Sequence, residues 1–345
     1  MQIGIDSFAA SIPDLETGAS IAPTERLRNL VEEIELADQV GLDVFGIGEH
    51  HRSEFLDSAP TIILAAAAGR TKNIRLSSAV TVLSAADPVR VFQEFATLDL
   101  ISGGRAEIVA GRGSFTEAYP LFGLKLEDYD DLFTEKLDLL LKIRDEVKVT
   151  WSGKHRPALR NQAIYPRPLQ EELPIWLGVG GTPQSFARAG FLGLPLMVAI
   201  IGGEQHRFRP LIDLYREAGK RAGHSEEKLK VGLHMFGFLG DTTQKAADDF
   251  YPSYHSMFTQ IGKERGWAPT TREQYDYTRG PKAAYLIGDA DYVVDKVLYT
   301  NEALGGIARL DFQMTAGNLA HDKMMHAIEI LGTKVAPAVR KALGK

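Results

Sequence analysis

Residues 43–52, Asp-Val-Phe-Gly-Ile-Gly-Glu-His-His-Arg, place four polar or titratable side chains directly after a short apolar segment. The apolar part, 43–48, predicts a buried strand, and Gly41 before it ends a helical pattern. Polar side chains are costly to bury without a partner. The group 49–52, at the end of a strand, therefore predicts a functional site.

The same alternation of strand and helix continues along the 345 residues. Eight short apolar segments predict strands, and a clear helical pattern closely follows all but the eighth, after which a terminal helix is predicted over 321–342. Eight such units favour a closed (β/α)8 TIM barrel over an open doubly wound sheet. The predicted strands are 2–8, 43–48, 74–83, 106–110, 175–179, 196–201, 230–239 and 310–315.

Two stretches interrupt this alternation, at about 146–174 and 250–288. The first is rich in proline and the second in tyrosine and polar residues. Both are too long for plain connections, so we predict insertions of the kind that shape the mouth of a barrel. The length would also allow two domains. Because no long linker or low-complexity segment is present, we predict a single domain over residues 1–345.

Composition excludes several classes of function. The chain has no cysteine, which rules out disulfides, thiolate nucleophiles and Cys-ligated zinc or iron–sulfur centres. A net charge of −6 provides no field that attracts nucleic acid or an anionic membrane surface. The sequence has no signal-peptide pattern and no run of about 18 apolar residues. We therefore expect a cytoplasmic protein without nucleic-acid or membrane partners.

The residues after the second predicted strand are the candidate catalytic group: Glu49, His50 and His51. Imidazole and carboxylate side chains at a barrel mouth can move protons or bind an electron-rich group. No His-x-His or His-Glu-x-x-His spacing occurs here, so we predict no metal site. The alternative is a solvated loop whose charges pair with one another.

Two further strand ends predict a phosphate site. Arg112, between two glycines after the fourth strand, can clamp a phosphate with its guanidinium group. After the fifth strand, Gly180 and Gly181 let a phosphate approach the backbone at a helix start, and Thr182 and Ser185 add hydroxyl donors. The alternatives are a surface arginine and an ordinary capped helix. Together these strand ends suit a flat phosphorylated cofactor beside an organic substrate.

Two polar residues of the last strands leave their roles open. His234, within the seventh strand, fits a buried core histidine and a residue of the mouth equally well. Gln313, at the end of the eighth strand, is expected to pack beneath a cofactor rather than to react.

Taken in order, these motifs are similar to those of the bacterial luciferase-like monooxygenase family of flavin- or F420-dependent oxidoreductases. The resemblance covers essentially the whole chain, and the order and spacing of the motifs carry it. The matching segments are Gly48–His51, Ser78–Leu83, Asp87–Arg90, Ser102–Glu107, Ala110–Gly113, Gly180–Ser185 and Gly317–Gly332.

The resemblance implies a (β/α)8 barrel with a reduced flavin at its C-terminal mouth. It implies a non-prolyl cis peptide bond, Ala79–Val80, under the flavin ring, and it makes His50 the counterpart of the family's catalytic imidazole. Whether His50 or His51 is the active imidazole stays open. The flavin phosphate would contact Arg112, Gly180, Gly181, Thr182 and Ser185.

The resemblance also limits the reaction. The luciferase α chain has Glu-Ser where this chain has Gly181-Thr182, and Cys where it has Gly111, so luciferase activity on an aldehyde does not carry over. The implied activity is an FMN-dependent monooxygenase that takes diffusible reduced FMN, molecular oxygen and a small organic substrate, with a separate flavin reductase and a homodimeric assembly. The alternatives are an F420-dependent, hydride-transferring dehydrogenase or reductase on the same fold and a non-catalytic flavin-binding protein.

Overall fold

Eight parallel strands close into a ring in the computed structural model, which describes residues 1–315 and 317–344. Each strand pairs with the next along the chain, and the last pairs with the first, so the predicted closed barrel is confirmed. The strands are β1 (Gln2–Ser7), β2 (Val44–Ile47), β3 (Arg75–Ser78), β4 (Ala106–Gly111), β5 (Ile175–Val179), β6 (Leu196–Ala199), β7 (Val231–Leu239) and β8 (Arg309–Gln313).

Helices cover the outside of the ring, because each parallel crossover returns the chain along the barrel wall. The predicted helices all form, within a few residues of their expected bounds. They are α1 (Pro23–Gln39), α2 (Pro60–Ala68), α3 (Pro88–Ser102), α4 (Tyr129–Asp145), α5 (Pro183–Leu192), α6 (Arg209–Arg221), α7 (Thr243–Arg265), α8 (Arg272–Thr278), α9 (Ala290–Ala303), α10 (His321–Ile330) and α11 (Ala336–Ala342).

Shorter elements complete the described chain. One helical turn (Ala118–Leu121) and two 3-10 turns (Leu126–Asp128 and Gln205–Phe208) lie in the connections, and a π-helical segment, Leu331–Val335, joins α10 to α11. The two-residue strand Thr81–Val82 pairs with β4 just above β3. No described helix is long and apolar enough to cross a membrane.

The first predicted insertion, 146–174, contains an antiparallel hairpin of Lys148–Trp151 with Leu159–Ala163. The expectation that this insertion shapes the mouth is wrong, because none of its residues lines the cavity described below. It connects the end of α4 to the start of β5. It packs on the outside of the barrel, where Lys154 and His155 bind Glu135 of α4 and Arg156 pairs with Asp87, the N-cap residue of α3.

The predicted start of the second insertion, 250–288, does not match an element boundary, because residue 250 lies inside helix α7. Helix α7 runs through residue 250, and its buried residues Ala246, Phe250, Tyr254 and Met257 recur at helical spacing. The sequence prediction missed α9 and the strand Leu286–Gly288, which pairs with β7. Because this segment follows the C-terminal end of β7, it does reach the mouth of the barrel.

Candidate active site

A cavity of about 760 Å³ opens at the C-terminal ends of the strands. Its walls come from the segments after β2, β4 and β5, from the interior of β1, β7 and β8, and from α7. All but one of the predicted catalytic and cofactor-binding residues line it, and Ser185 is the exception. The predicted residues along its wall are Glu49, His50, His51, Ala79, Val80, Arg112, Gly180, Gly181 and Thr182.

His50 forms a hydrogen-bonded pair with Asp57, which the sequence did not single out. Nδ1 of His50 lies 2.9 Å from Oδ2 of Asp57, and Oδ1 of Asp57 accepts a hydrogen bond from the backbone N–H of His50 at 3.1 Å. Asp57 has no exposed surface, and burial raises the pKa of its carboxyl, an effect that His50 opposes. The carboxyl group therefore fixes one ring nitrogen of His50 and leaves Nε2 for other partners.

Aromatic rings surround this imidazole. The centroids of the Phe8, Phe55 and Phe115 rings lie 4.6, 4.5 and 5.4 Å from that of His50, and all three side chains line the cavity. An imidazole and carboxyl pair in an apolar enclosure interacts more strongly than the same pair in water. His50 is 8% exposed, so any contact with it is made from within the cavity.

Glu49 and His51 form a second pair at the same strand end. Nε2 of His51 lies 3.2 Å from Oε1 of Glu49, whose Oε2 accepts a hydrogen bond from the backbone N–H of Val82 at 2.8 Å. Glu49 therefore ties the loop after β2 to the strand that follows β3. The His51 ring meets the edge of the exposed Phe122 ring at 5.1 Å, which places it nearer the outside than His50.

Arg112 and the start of α5 lie on the same side of the cavity. One Nη of Arg112 donates to Oγ of Ser185 at 3.2 Å, and the other donates to the exposed Asp130 at 2.5 Å. The guanidinium also lies over the Tyr129 ring, 5.1 Å from its centroid. Ser185 thus takes part in the site through Arg112 rather than as a wall residue.

The N-terminus of α5 is open to a ligand. Thr182 is the N-cap residue, yet its side chain makes no capping hydrogen bond. A Cβ added at Gly180 or Gly181 would meet no atom within 4 Å, so packing does not require glycine there. Uncapped N–H groups, open backbone and a guanidinium fit the terminal phosphate of a flavin nucleotide.

The Ala79–Val80 peptide bond is cis, as the sequence resemblance implied. Both residues line the cavity beside the loop after β2. The Val80 side chain packs against Val109, Trp176 and Met197, a small apolar cluster inside the barrel. An apolar surface of this kind suits the face of a flat ring.

A second imidazole and carboxylate pair lies at the closed end of the cavity. Nδ1 of His234 on β7 lies 2.6 Å from Oδ2 of Asp6 on β1. Asp311 and Gln313 of β8 complete this end. Burial and the neighbouring Asp6 raise the pKa of Asp311 well above its usual range. Asp6 and Asp311 were missed, although a carboxylate inside an otherwise apolar strand was the signal available.

Charged and aromatic side chains cross the outer rim of the cavity. Arg52 pairs with Glu54, Glu117 and Glu264, and so links the loop after β2 to the segment after β4 and to the end of α7. The rings of Phe115 and Trp267 lie under the guanidinium of Arg265. These contacts narrow the entrance to the cavity.

Among the described residues, one group could offer three ligand atoms to a metal ion, and it lies outside the cavity wall. It consists of Asp128, Asp131 and His155, whose candidate ligand atoms lie within 4.8 Å of one another. Lys154 places its ammonium 3.7 Å from Asp128 and 3.9 Å from Asp131, in the position of a competing cation.

The fold is a (β/α)8 barrel, and one cavity brings together the His50–Asp57 pair and a candidate phosphate cradle, formed by Arg112, Gly180–Thr182 and Ser185. The chain belongs to the luciferase-like monooxygenase family, whose sequence profile matches residues 1–306. Members of this family include FMN-dependent monooxygenases and F420-dependent dehydrogenases.

Individual relatives match the chain over most of its length. The uncharacterized protein y4vJ of Sinorhizobium fredii is 26% identical over 98% of this chain and 99% of its own. The 4-hydroxyprotoasukamycin monooxygenase of Streptomyces nodosus subsp. asukaensis is 25% identical over 94% of this chain and 92% of its own.

Solved structures share the fold. The monooxygenase RslO1 from Streptomyces bottropensis superposes with a TM-score of 0.83 at 21% identity, over 98% of this chain and 99% of its own. A Pseudomonas putida 3,6-diketocamphane monooxygenase constituent in complex with FMN has a TM-score of 0.76 at 20% identity, covering 98% of each chain. An F420-dependent secondary alcohol dehydrogenase has a TM-score of 0.75 at 19% identity, over 98% of this chain and 99% of its own.

Proposed function

We propose that the protein is an FMN-dependent monooxygenase that uses reduced FMN and molecular oxygen to oxidise a small organic substrate. One observation carries the proposal: Arg112 and the open start of α5 border the same cavity as the His50–Asp57 pair. The monooxygenase names of matched relatives support this choice of reaction.

The residues of the cradle would hold the FMN phosphate. Arg112 supplies a guanidinium, Thr182 and Ser185 supply hydroxyl groups, and Gly180 and Gly181 leave the backbone accessible. The flat ring would lie against Ala79 and Val80, on the way from the cradle to His50. When bound, reduced FMN supplies the two electrons that the reduction of oxygen requires.

His50 holds or donates a proton at Nε2 within this arrangement. Asp57 engages Nδ1, so it orients the ring and balances a positive charge on it. The surrounding phenylalanine rings exclude water from the imidazole, which favours transfer of oxygen to the substrate over release of reduced oxygen. Glu49 keeps the second histidine, His51, tied to the wall.

The proposal includes the setting in which the enzyme works. A separate flavin reductase would supply the reduced FMN, which diffuses to the open cradle. We also propose a homodimer in the cytoplasm. Copurification with a reductase activity and the mass of the native particle would test these two parts independently of the site.

Cofactor binding and oxygen uptake test the proposal. FMN and F420 are titrated into the protein, followed by oxygen uptake with photoreduced FMN. We expect FMN to bind, and Arg112→Ala to weaken its affinity by about 10- to 100-fold, the cost of a charged hydrogen bond. Arg160→Ala, at an exposed position of the hairpin outside the cavity wall, is the matched control and should bind FMN normally.

Each alternative has its own result. Preferential binding of F420 without oxygen uptake would assign a dehydrogenase or reductase. Tight FMN binding with uptake no faster than for free reduced FMN would assign a non-catalytic flavin-binding protein. Equal FMN affinity in Arg112→Ala and Arg160→Ala would contradict the cradle.

A further inference from the structure

The closed end of the cavity holds a His–Asp pair that the flavin site does not use. His234 and Asp6 are 9% and 3% exposed, and their side chains are joined at 2.6 Å. The Phe8 ring stacks on His234, with centroids 5.7 Å apart and planes 13° from parallel, and it also contacts His50, with centroids 4.6 Å apart. One phenylalanine therefore separates two imidazoles, each held at Nδ1 by a buried carboxyl group.

The carboxylate of Asp6 determines what His234 can offer. Because Nδ1 faces Oδ2 of Asp6, the neutral ring carries its proton on Nδ1 and a lone pair on Nε2. Among the described residues, Nε2 of His234 has no hydrogen-bond partner, and the residue lines the cavity. The ring therefore presents an acceptor to a bound molecule.

The strands leave room for these polar groups. A Cβ at Gly46 would lie 2.1 Å from Oδ1 of Asp6, and a Cβ at Gly4 would lie 2.5 Å from Oδ1 of Asp311. A side chain at position 46 would therefore displace the Asp6 carboxyl group, and one at position 4 would clash with Val44 as well as with Asp311. Glycines on adjacent strands therefore leave space for both buried carboxyl groups at this end of the cavity.

The same end has unused hydrogen-bonding capacity. Oδ1 of Asp311 and both carboxamide atoms of Gln313 are buried without partners in the described structure. Unpaired buried polar groups are rare because each costs free energy, and a bound molecule or water commonly accounts for them. The neighbouring Arg309–Glu107 pair is already satisfied, because Arg309 also donates to Gln2 and Glu107 also accepts from Arg75.

The charged side chains at the closed end of the cavity indicate whether an anion, a cation or a neutral group would bind there. Asp6 and Asp311 face His234 from β1 and β8, and His50 lies across Phe8 from β2. Two carboxyl groups disfavour an anionic head group. Oδ2 of Asp6 is occupied by Nδ1 of His234, and burial raises the pKa of Asp311, so neither carboxyl group is arranged to bind a cation. A neutral hydrogen-bond donor fits best.

We propose that His234, oriented by Asp6, accepts the proton of a hydroxyl group on an aromatic, phenol-type substrate. The walls above it are aromatic, with Phe8, Phe55, Phe236 and Phe258 lining the cavity. In the step, the O–H bond breaks, its electron pair stays on oxygen, and the proton forms an N–H bond at Nε2. The imidazolium is held by the Asp6 carboxylate, and the proton returns when the product leaves.

This inference rests on the proposed function for the identity of the substrate, but its test needs no cofactor. The probe is 4-nitrophenol, whose ionised form absorbs visible light, titrated against pH in the cofactor-free protein. We expect binding to lower the pKa of the probe by about one unit, a tenfold change in its ionisation ratio. His234→Gln should abolish that shift, and His206→Gln, at an exposed position, should retain it.

Asp6 is a positioning residue in this scheme, and its variant separates orientation from binding. Asp6→Asn should keep the affinity for 4-nitrophenol within about threefold but lose most of the ionisation shift, since the imidazolium loses its counter-charge. Circular dichroism verifies that each variant is folded. Should His234→Gln fail to fold, Asp6→Asn decides the matter, because an unchanged ionisation shift in it would overturn the proposal.

Competition with FMN assigns the subsite to the substrate or to the cofactor. With saturating FMN, the probe should remain bound with its shifted ionisation. Displacement of the probe by FMN would mean that His234 contacts the cofactor. An identical pKa shift of the probe in wild type and His234→Gln would mean that His234 does not contact the probe. Either result overturns the proposal. A failure of the proposed function would appear separately, as absent FMN binding with an intact probe shift.

Discussion

Gly190 marks the closest approach of α5 to α6, and Gly190→Ala tests whether that contact is as tight as the structure requires. A Cβ at Gly190 would lie 2.2 Å from the carbonyl oxygen of Tyr215 and 2.9 Å from the backbone nitrogen of Gly219. Both atoms belong to backbone, so no change of rotamer relieves the overlap. The helices must move apart, although α5 carries the cradle at its N-terminus.

The magnitude follows from two opposing effects. Overpacking costs about 1–3 kcal/mol, and a contact of this kind with backbone belongs at the upper end. Alanine also stabilises the helix by about 1 kcal/mol relative to glycine, because of its higher helix propensity. We therefore expect Gly190→Ala to lower the free energy of unfolding by about 2 kcal/mol, and the Tm by about 4 °C.

Gly181→Ala is the matched control, because a Cβ there meets nothing within 4 Å. Its free energy of unfolding should stay within about 0.5 kcal/mol of wild type. The free energies of unfolding of both variants are measured by reversible denaturant unfolding followed by fluorescence. Equal stability of Gly190→Ala and Gly181→Ala would refute the packing argument. Weaker FMN binding in Gly181→Ala alone would agree with the cradle.

Two further predictions concern buried carboxyl groups. Asp57→Asn should leave FMN affinity unchanged and lower substrate-dependent oxygen uptake about 100-fold, since the amide carries no negative charge and has one oxygen for the two groups of His50 that Asp57 binds; unaltered uptake would make the pair structural. Burial alone would raise the pKa of Glu107, but Arg309 and Arg75 lower it to about 2 from 4.5. Because the folded pKa is the lower one, this stabilisation is complete above about pH 4.5 and is lost as the pH falls towards 2, which removes about 3 kcal/mol. Denaturant unfolding from pH 5 downwards measures that slope, and Glu107→Gln should flatten it; an equal slope in the variant would contradict the assignment.

Local sequence pattern was sufficient for the barrel, because strands buried on both faces produce apolar segments that need no knowledge of their neighbours. It was less informative between strands. The segment 250–288 resembles a loop in composition, but Phe250 and Tyr254 belong to a helix because they pack on the barrel. The hairpin around Trp151 lies outside the cavity wall, against α4, where Trp151 donates a hydrogen bond to Asp138, and composition does not encode that position.

The site residues were predictable where they directly follow a strand in the sequence. Glu49, His50 and Arg112 stand at strand ends, and the closed ring brings such ends together. Asp57 lies seven residues beyond His50, in a loop without regular structure. Asp6 and His234 are 228 residues apart, so their contact exists only through the pairing of β1 and β7 with β8.

The order of strands in the ring agrees with the proposal that one cavity holds both FMN and a substrate. Arg112 and the start of α5 belong to β4 and β5, whereas Asp6 and His234 belong to β1 and β7, on the other side of the ring. If FMN binds as proposed, with its phosphate at β4 and β5, its ring would extend towards β3, where Ala79 lies. The space bounded by β7, β8 and β1 then remains for a substrate. Because the Phe8 ring contacts both His50 and His234, a substrate in that space lies within reach of both imidazoles.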